Sequence, residues 1–482
     1  MSYGPRRMSR FGIIATGAPA CLFLVLTHCS PSDGSAPLLA GASAGANASS
    51  AGASSARAPS SAGAGAGGAS AGAAGAAGGS ASGGSAGTAG ASDLGPTAAL
   101  PGVSFPFPQN RQKTSCNYPM YKNSDVRAAY TWWKSEMITS NGAGGHQRVT
   151  RKPSDGGLEA GSTVSEGIGY GMLIAVFMND QPLFDELWKY EQQWLNKNGL
   201  MDWYINAAGD KRLGEGAASD ADEDMAYALL MADKQWGGQG TLSDSYANVA
   251  KGQIQKIWDH EIHEGKLLKP GDSWNLSDPW TLVNVSYFAP SYYRAFAKSS
   301  GNMGWLDVVK TSYDTLENSL NDKNGNTSNG LVPAWSTSDG APTAAAFNGA
   351  PTNYQYDSCR TPFRIGIDYC LNGEPRAQAY AAKTSQFFAA IGASKIVDGY
   401  ALNGTAQAAN TTGQSASFVG PATVGAMTGS AYATLLTQGY TEIAARNLLV
   451  GGEYYDGSWT MLSLLMLSGN FLDYTNEQPL VK

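Results

Sequence analysis

Three short stretches gather carboxylates where a helix should begin. In "GAASDADEDMAYALLMADKQWG" (residues 216–237), Asp220, Asp222, Glu223 and Asp224 precede an apolar helical run. "GSTVSEGIGYGML" sets Glu166 at the head of the most apolar segment, and "NYQYDSCRTPFRIGIDYC" carries Asp357 with Arg360 and Arg364 behind it. One acid in a first turn suits the positive end of a helix, and Ser219 and Asp220 are types that cap. Three aspartates and a glutamate exceed that need. Asp220, Asp222 and Asp224 imitate the opening of an EF-hand loop, but Met225 and Met231 stand where Gly and Glu are required. Carboxyl groups crowded on one rim push their pKa values apart, leaving one protonated near neutral pH and others ionised. Hydrolysis of a glycosidic bond needs that division: one acid to protonate the leaving oxygen, one base to activate water.

Aromatics stand around these acids in loop-like contexts: Trp203 in "GLMDWYI", Trp274 in "KPGDSWN", Tyr287 in "NVSYFAP", Tyr454 and Tyr455 in "EYYDGSW". Any one of them serves equally as core. The chain holds 12 Trp and 23 Tyr, a surplus that suits a cleft for a neutral, ring-shaped ligand. Net charge is −7 and no Lys/Arg cluster follows the first few residues, which excludes a nucleic-acid groove. Among four His, "HEIHEG" lacks the second His one turn on that a zinc helix requires, so no metal or cofactor is expected.

Something must place those acids together. Beyond residue 120 helices follow one another, alternating between apolar all round ("SEGIGYGMLIAVFMND") and striped ("QPLFDELWKYEQQWL", with Leu183, Phe184, Leu187, Trp194 and Leu195 on one face). The alternation returns at "DADEDMAYALLMADKQW", "VSYFAPSYYRAFAKSS" and "TPFRIGIDYC", each with a striped successor, and less cleanly between Ser417 and Leu472. Roughly a dozen helices in inner and outer pairs imply a closed ring of hairpins, with an open solenoid as the alternative. Gly167, Gly169 and Gly171 each weaken their helix by about 1 kcal/mol relative to Ala, so a packed neighbour or a ligand should approach that backbone closely.

The N-terminus is of another kind. Arg6, Arg7 and Arg10 precede an apolar run ending "CLFLVLTHCS", an export signal over residues 1–29 that is too short for a membrane span. "LTHC" is similar to a bacterial lipobox, with His28 in place of a small residue; lipidation at Cys29 and plain secretion both remain open. Residues 30–102 are nearly all Ala, Gly and Ser, a disordered linker that cannot bury enough apolar surface to order itself. Residues 103–482 form the catalytic domain. If Cys359 and Cys370 shared one continuous helix they would lie roughly 16 Å apart along its axis, so any disulfide uses Cys116 and a thiol stays free.

"VSEGIGYGML", "GAASDADEDMAYALLMADKQWG", "LKPGDSW", "VSYFAPSYYR", "GLVPAW", "YQYDSCR" and "SASFVGPATVGAMTG", in order, resemble the landmarks of glycoside hydrolase family 8 from about Phe105 to Leu472. The resemblance implies an all-α (α/α)6 barrel cleaving β-1,4-linked polysaccharide with inversion. It makes Glu166 the general acid, Asp357 the general base with Tyr356 and Arg360 beside it, and Asp220 the residue that binds sugar at the cleavage point. Trp203, Trp274 and Tyr287 match its sugar-stacking positions, and Tyr454 and Tyr455 are further candidates for substrate contact. The Tyr-Asp placement resembles the cellulase branch, so the expectation is a monomeric endo-β-1,4-glucanase, secreted or surface-anchored on a bacterial cell. Xylanase, mixed-linkage glucanase and chitosanase are rivals of the same chemistry; a non-catalytic carbohydrate-binding protein is a rival of another class.

Overall fold

Segments that read as apolar all round form an inner ring in the computed structural model, which describes residues 100–155, 158–274, 282–343, 352–407, 414–446 and 453–480. Among the described residues there are twelve α-helices. The inner six are α2 (Ser165–Phe177), α4 (Ser219–Gln235), α6 (Pro290–Ser300), α8 (Thr361–Asn372), α10 (Ala416–Ala426) and α12 (Tyr454–Leu467). The outer six are α1 (Asn123–Met137), α3 (Gln181–Glu191), α5 (Tyr246–Glu261), α7 (Trp305–Asn318), α9 (Pro375–Ile391) and α11 (Ala433–Arg446). Each inner helix packs on the next, and α12 packs on α2. The ring therefore closes as an (α/α)6 barrel, and the open solenoid is excluded. Its closing pair joins the chain's extremes, since the outer partner of α12 is α1.

Inner and outer helices differ as their sequences require. Every residue of α2 is buried, whereas α3 buries Leu183, Phe184 and Leu187 on one stripe. The Asp180 side chain accepts from the Leu183 N–H at 3.2 Å and starts α3 sharply; left-handed Gly301 and Gly373 end α6 and α8. The α2 glycines are answered by packed neighbours. A Cβ at Gly169 would meet the Ala221 carbonyl and the Asp224 Cβ at 3.0 Å, and one at Gly171 would meet Leu187 at 2.8 Å.

Short antiparallel ribbons sit where chain enters the inner helices. Thr163–Val164 pairs with Tyr204–Ile205, which pairs with Arg212–Gly214; Leu282–Val283 pairs with Ser336–Thr337 in the register Leu282↔Thr337, Val283↔Ser336. At the opposite end, the segment before α1 lies across helix termini. Ser104 N–H donates to the Gln235 carbonyl, Arg111 N–H to Gly469 and Asn117 N–H to Met427. Cys116 is disulfide-bonded to Cys370, one of the two pairings the helix-length argument left open, and Cys359 is a buried free thiol.

Candidate active site

One guanidinium organises the rim. Arg360, in the turn before α8, is fully buried and its Nη1 donates to Glu166 Oε2 at 2.6 Å and to Asp220 Oδ2 at 2.7 Å. Its Nη2 lies 3.8 Å from Asp357 Oδ1, its Nε donates to Ser286 Oγ at 3.0 Å, and its plane stacks 4.8 Å from the Tyr287 ring. Glu166, Asp220 and Asp357, which lie on three separate helices or helix entries, thus converge on a single cation. Because a Glu166 oxygen and an Asp357 oxygen both lie against the same guanidinium, they are no more than about 9 Å apart, which is within the upper limit of about 9.5 Å for a pair of carboxyls acting on one glycosidic bond.

Glu166 and Asp357 are 5% and 6% exposed, so both carboxyls are largely shielded from bulk water. Burial pushes the Glu166 carboxyl up to about 8; the Arg360 cation pulls it down, Asp220 and Asp357 push it up, and the Tyr454 hydroxyl, donating to Oε1 at 2.7 Å, pulls it down. The direction favours the protonated form of that group. Asp357 is also raised by burial, but Arg360, the Trp335 indole and the Gln355 amide all draw it back toward its ionised form.

The other acids of "SDADED" have local partners. Asp224 takes a two-pronged pair from Arg364, at 2.5 and 2.8 Å. Glu223 accepts from Tyr293 at 2.9 Å and lies 3.6 Å from Arg364; Asp222 accepts from Gln253 at 3.1 Å. Helix capping is not among their tasks: α4 is entered through Ala218 with no side-chain cap, and the Ser219 hydroxyl donates instead to the Lys269 carbonyl. The "KPGD" turn clamps this entrance, and Gly271 is needed there because a Cβ would fall 2.0 Å from the Ala217 carbonyl.

Of the aromatics, Tyr287 lies against Arg360, and the Trp203 carbonyl accepts from Ser165 N–H, next to Glu166. Trp274 is partly exposed and stacks on Trp335 at 5.9 Å. Tyr356 turns its hydroxyl to Asp398 at 3.1 Å. Tyr454 and Tyr455 are not loop residues: they open α12 and are buried. Tyr454 touches Glu166, whereas Tyr455 donates to the Tyr356 carbonyl at 2.9 Å and lies behind the site. Trp335 and Gln355 were not singled out by sequence reasoning, although they fall in the "GLVPAW" and "YQYDSCR" landmarks; each has a side chain on the Asp357 carboxylate.

Residues 105–469 match the family model for "Glycosyl hydrolases family 8". Endoglucanase A of Acetivibrio thermocellus is 40% identical over 350 residues, 72% of this chain and 69% of that protein. Endoglucanase 2 of Ruminiclostridium josui is 40% identical over 353 residues, 72% of each chain. A solved β-1,3-1,4-glucanase from Paenibacillus sp. X4 superposes with a TM-score of 0.68 at 32% identity, over 76% of this chain and 99% of that one.

Proposed function

The chain belongs to glycosyl hydrolase family 8 and is an inverting glycoside hydrolase; on that premise we propose that it is an exported endo-β-1,4-glucanase acting on cellulose-like polysaccharide. Glu166 gives its proton to the glycosidic oxygen as the C–O bond breaks. Asp357 takes a proton from the water that attacks the opposite face of the sugar, and Asp220 holds the sugar at that point. The carrying observation is the convergence of all three carboxylates on Arg360, and the upward push of burial on the Glu166 carboxyl agrees with it. Names of the 40%-identical relatives support the glucanase reading over xylanase or chitosanase. A mixed-linkage β-1,3-1,4-glucan is the second reading, favoured by the Paenibacillus structure.

Carboxymethylcellulose, lichenan, xylan and chitosan assayed side by side test it, with fresh product followed by NMR. Cleavage of carboxymethylcellulose releasing the α-anomer is expected, and Glu166→Gln should lower kcat by about 10²–10⁴-fold. Preference for lichenan would move the assignment to mixed-linkage glucan, and binding without reducing-sugar release would end the enzymatic reading. Export rests on the N-terminal signal pattern and agrees with the Cys116–Cys370 bridge, a bond of oxidising compartments. Cys29, the candidate lipid anchor, and the linker through residue 99 lie outside the described residues.

A further inference from the structure

Asp357 has two oxygens in unlike surroundings. Oδ2 accepts from the Trp335 indole Nε1–H at 3.2 Å and from the Gln355 amide at 3.3 Å. Among the described residues no hydrogen bond reaches Oδ1, whose charged neighbour is Arg360 Nη2 at 3.8 Å. The Asp357 main chain is fixed too: Gln355 Oε1 accepts from its N–H at 3.4 Å, and the Ser286 hydroxyl donates to its carbonyl.

Trp335 is built to hold still. It directly precedes the ribbon strand Ser336–Thr337, its carbonyl accepts from Thr343 N–H at 3.1 Å, and it is 2% exposed. Its ring is wedged between Trp274, stacked at 5.9 Å, and Tyr287, edge-on at 6.1 Å. A Trp whose ring packs on two aromatics has little freedom to turn its N–H elsewhere.

We propose that Trp335 is a positioning residue for hydrolysis: with Gln355 it occupies Oδ2 of Asp357, so that Oδ1 is the oxygen that receives the proton of the attacking water. The inference rests on Asp357 being the base. In the step, the water O–H bond breaks toward Oδ1 while its oxygen bonds the anomeric carbon, and the glycosidic oxygen leaves with the Glu166 proton. A carboxylate free to rotate would present either oxygen and spend part of its time misaimed; a donor pair on Oδ2 removes that rotation.

Trp335→Phe deletes the donor and keeps a ring between Trp274 and Tyr287. Expected is a kcat about ten-fold lower with KM within about two-fold, because the lost bond is to a charged group and not to substrate. The acidic limb of the kcat–pH profile should move to higher pH, since a donor that favoured the ionised base is gone. Gln355→Leu should move the limb the same way and carries the test if Trp335→Phe fails to fold. An unmoved acidic limb in both folded variants, or a loss confined to KM, would overturn the proposal. Asp357→Asn separates the two levels: if it still turns over, the base assignment itself fails, whereas an inactive Asp357→Asn beside an unmoved limb sinks only the role of Trp335.

Discussion

Both oxygens of Glu166 accept from a donor, Arg360 on Oε2 and Tyr454 on Oε1. Donors to a carboxylate favour its charged form, so they work against the burial that lifts it to about 8. The Tyr454 hydroxyl is the milder of the two and can turn to accept, which leaves Oε1 free to carry the proton that the proposed role of Glu166 as general acid requires. Tyr454→Phe removes that restraint while keeping the ring, over which the Arg151 guanidinium sits at 5.1 Å. The alkaline limb of kcat/KM, set by loss of the acid's proton in free enzyme, should then shift upward by about half to one pH unit. A limb that stays put or moves downward would show that Tyr454 does not govern the protonation of Glu166.

At the scale of helices, the entrance to α4 meets the ends of α3 and α5 through carboxyls that water does not reach. Asp222, Glu191 and Glu261 are buried together, with Asp222 against Glu261, among Asp220, Glu223 and Asp272, with Lys256 and Lys269 the nearby cations. Burial raises all three, Glu191 to about 8. An unfolded Glu has a pKa of about 4.3, so from there to about 8 the folded chain holds a proton that the unfolded chain has released, and stability falls as pH rises through that window. Glu191→Gln, which cannot ionise, should show a shallower fall in urea-unfolding free energy between pH 5 and 9 and exceed the parent at pH 9. A parallel decline in both proteins would rule Glu191 out as a source. The hairpin alternation that sets these helix ends was legible because apolar periodicity is a local property. The acids' partners were not: Gln253 is 31 residues from Asp222, and Arg364 is 140 from Asp224, so pairing depends on how helices rotate about their axes when packed. Trp335 escaped for the same reason, its N–H meeting an acid 22 residues on from inside a ribbon that spacing does not announce.

For the whole molecule, the barrel separates chemistry from closure. Inner-helix starts carry the site, while the far end is tied by the segment before α1 and by a disulfide that spans 254 residues of sequence. Cys370 lies near the C-terminal end of α8, about 15 Å along the helix from Arg360, so the bridge acts on the unfolded chain and not on the catalytic geometry. Made in a reducing cytoplasm without residues 1–29, the enzyme should carry free thiols at Cys116 and Cys370 and unfold about 2–5 kcal/mol more easily than the disulfide-bonded form, with kcat unchanged below its melting range. Oxidation should restore the difference, and a Cys116→Ala/Cys370→Ala double variant should reproduce the reduced protein. If that variant matched the disulfide-bonded enzyme in both stability and activity, the bridge would contribute nothing to the fold. Cys29→Ser in the exported chain distinguishes the two proposed destinations, because an anchored enzyme would pass from the membrane fraction to the soluble one while a secreted enzyme would partition as before. Those two measurements are independent: the bridge reports the redox state in which the barrel closed, and the leader variant reports where the closed barrel is kept.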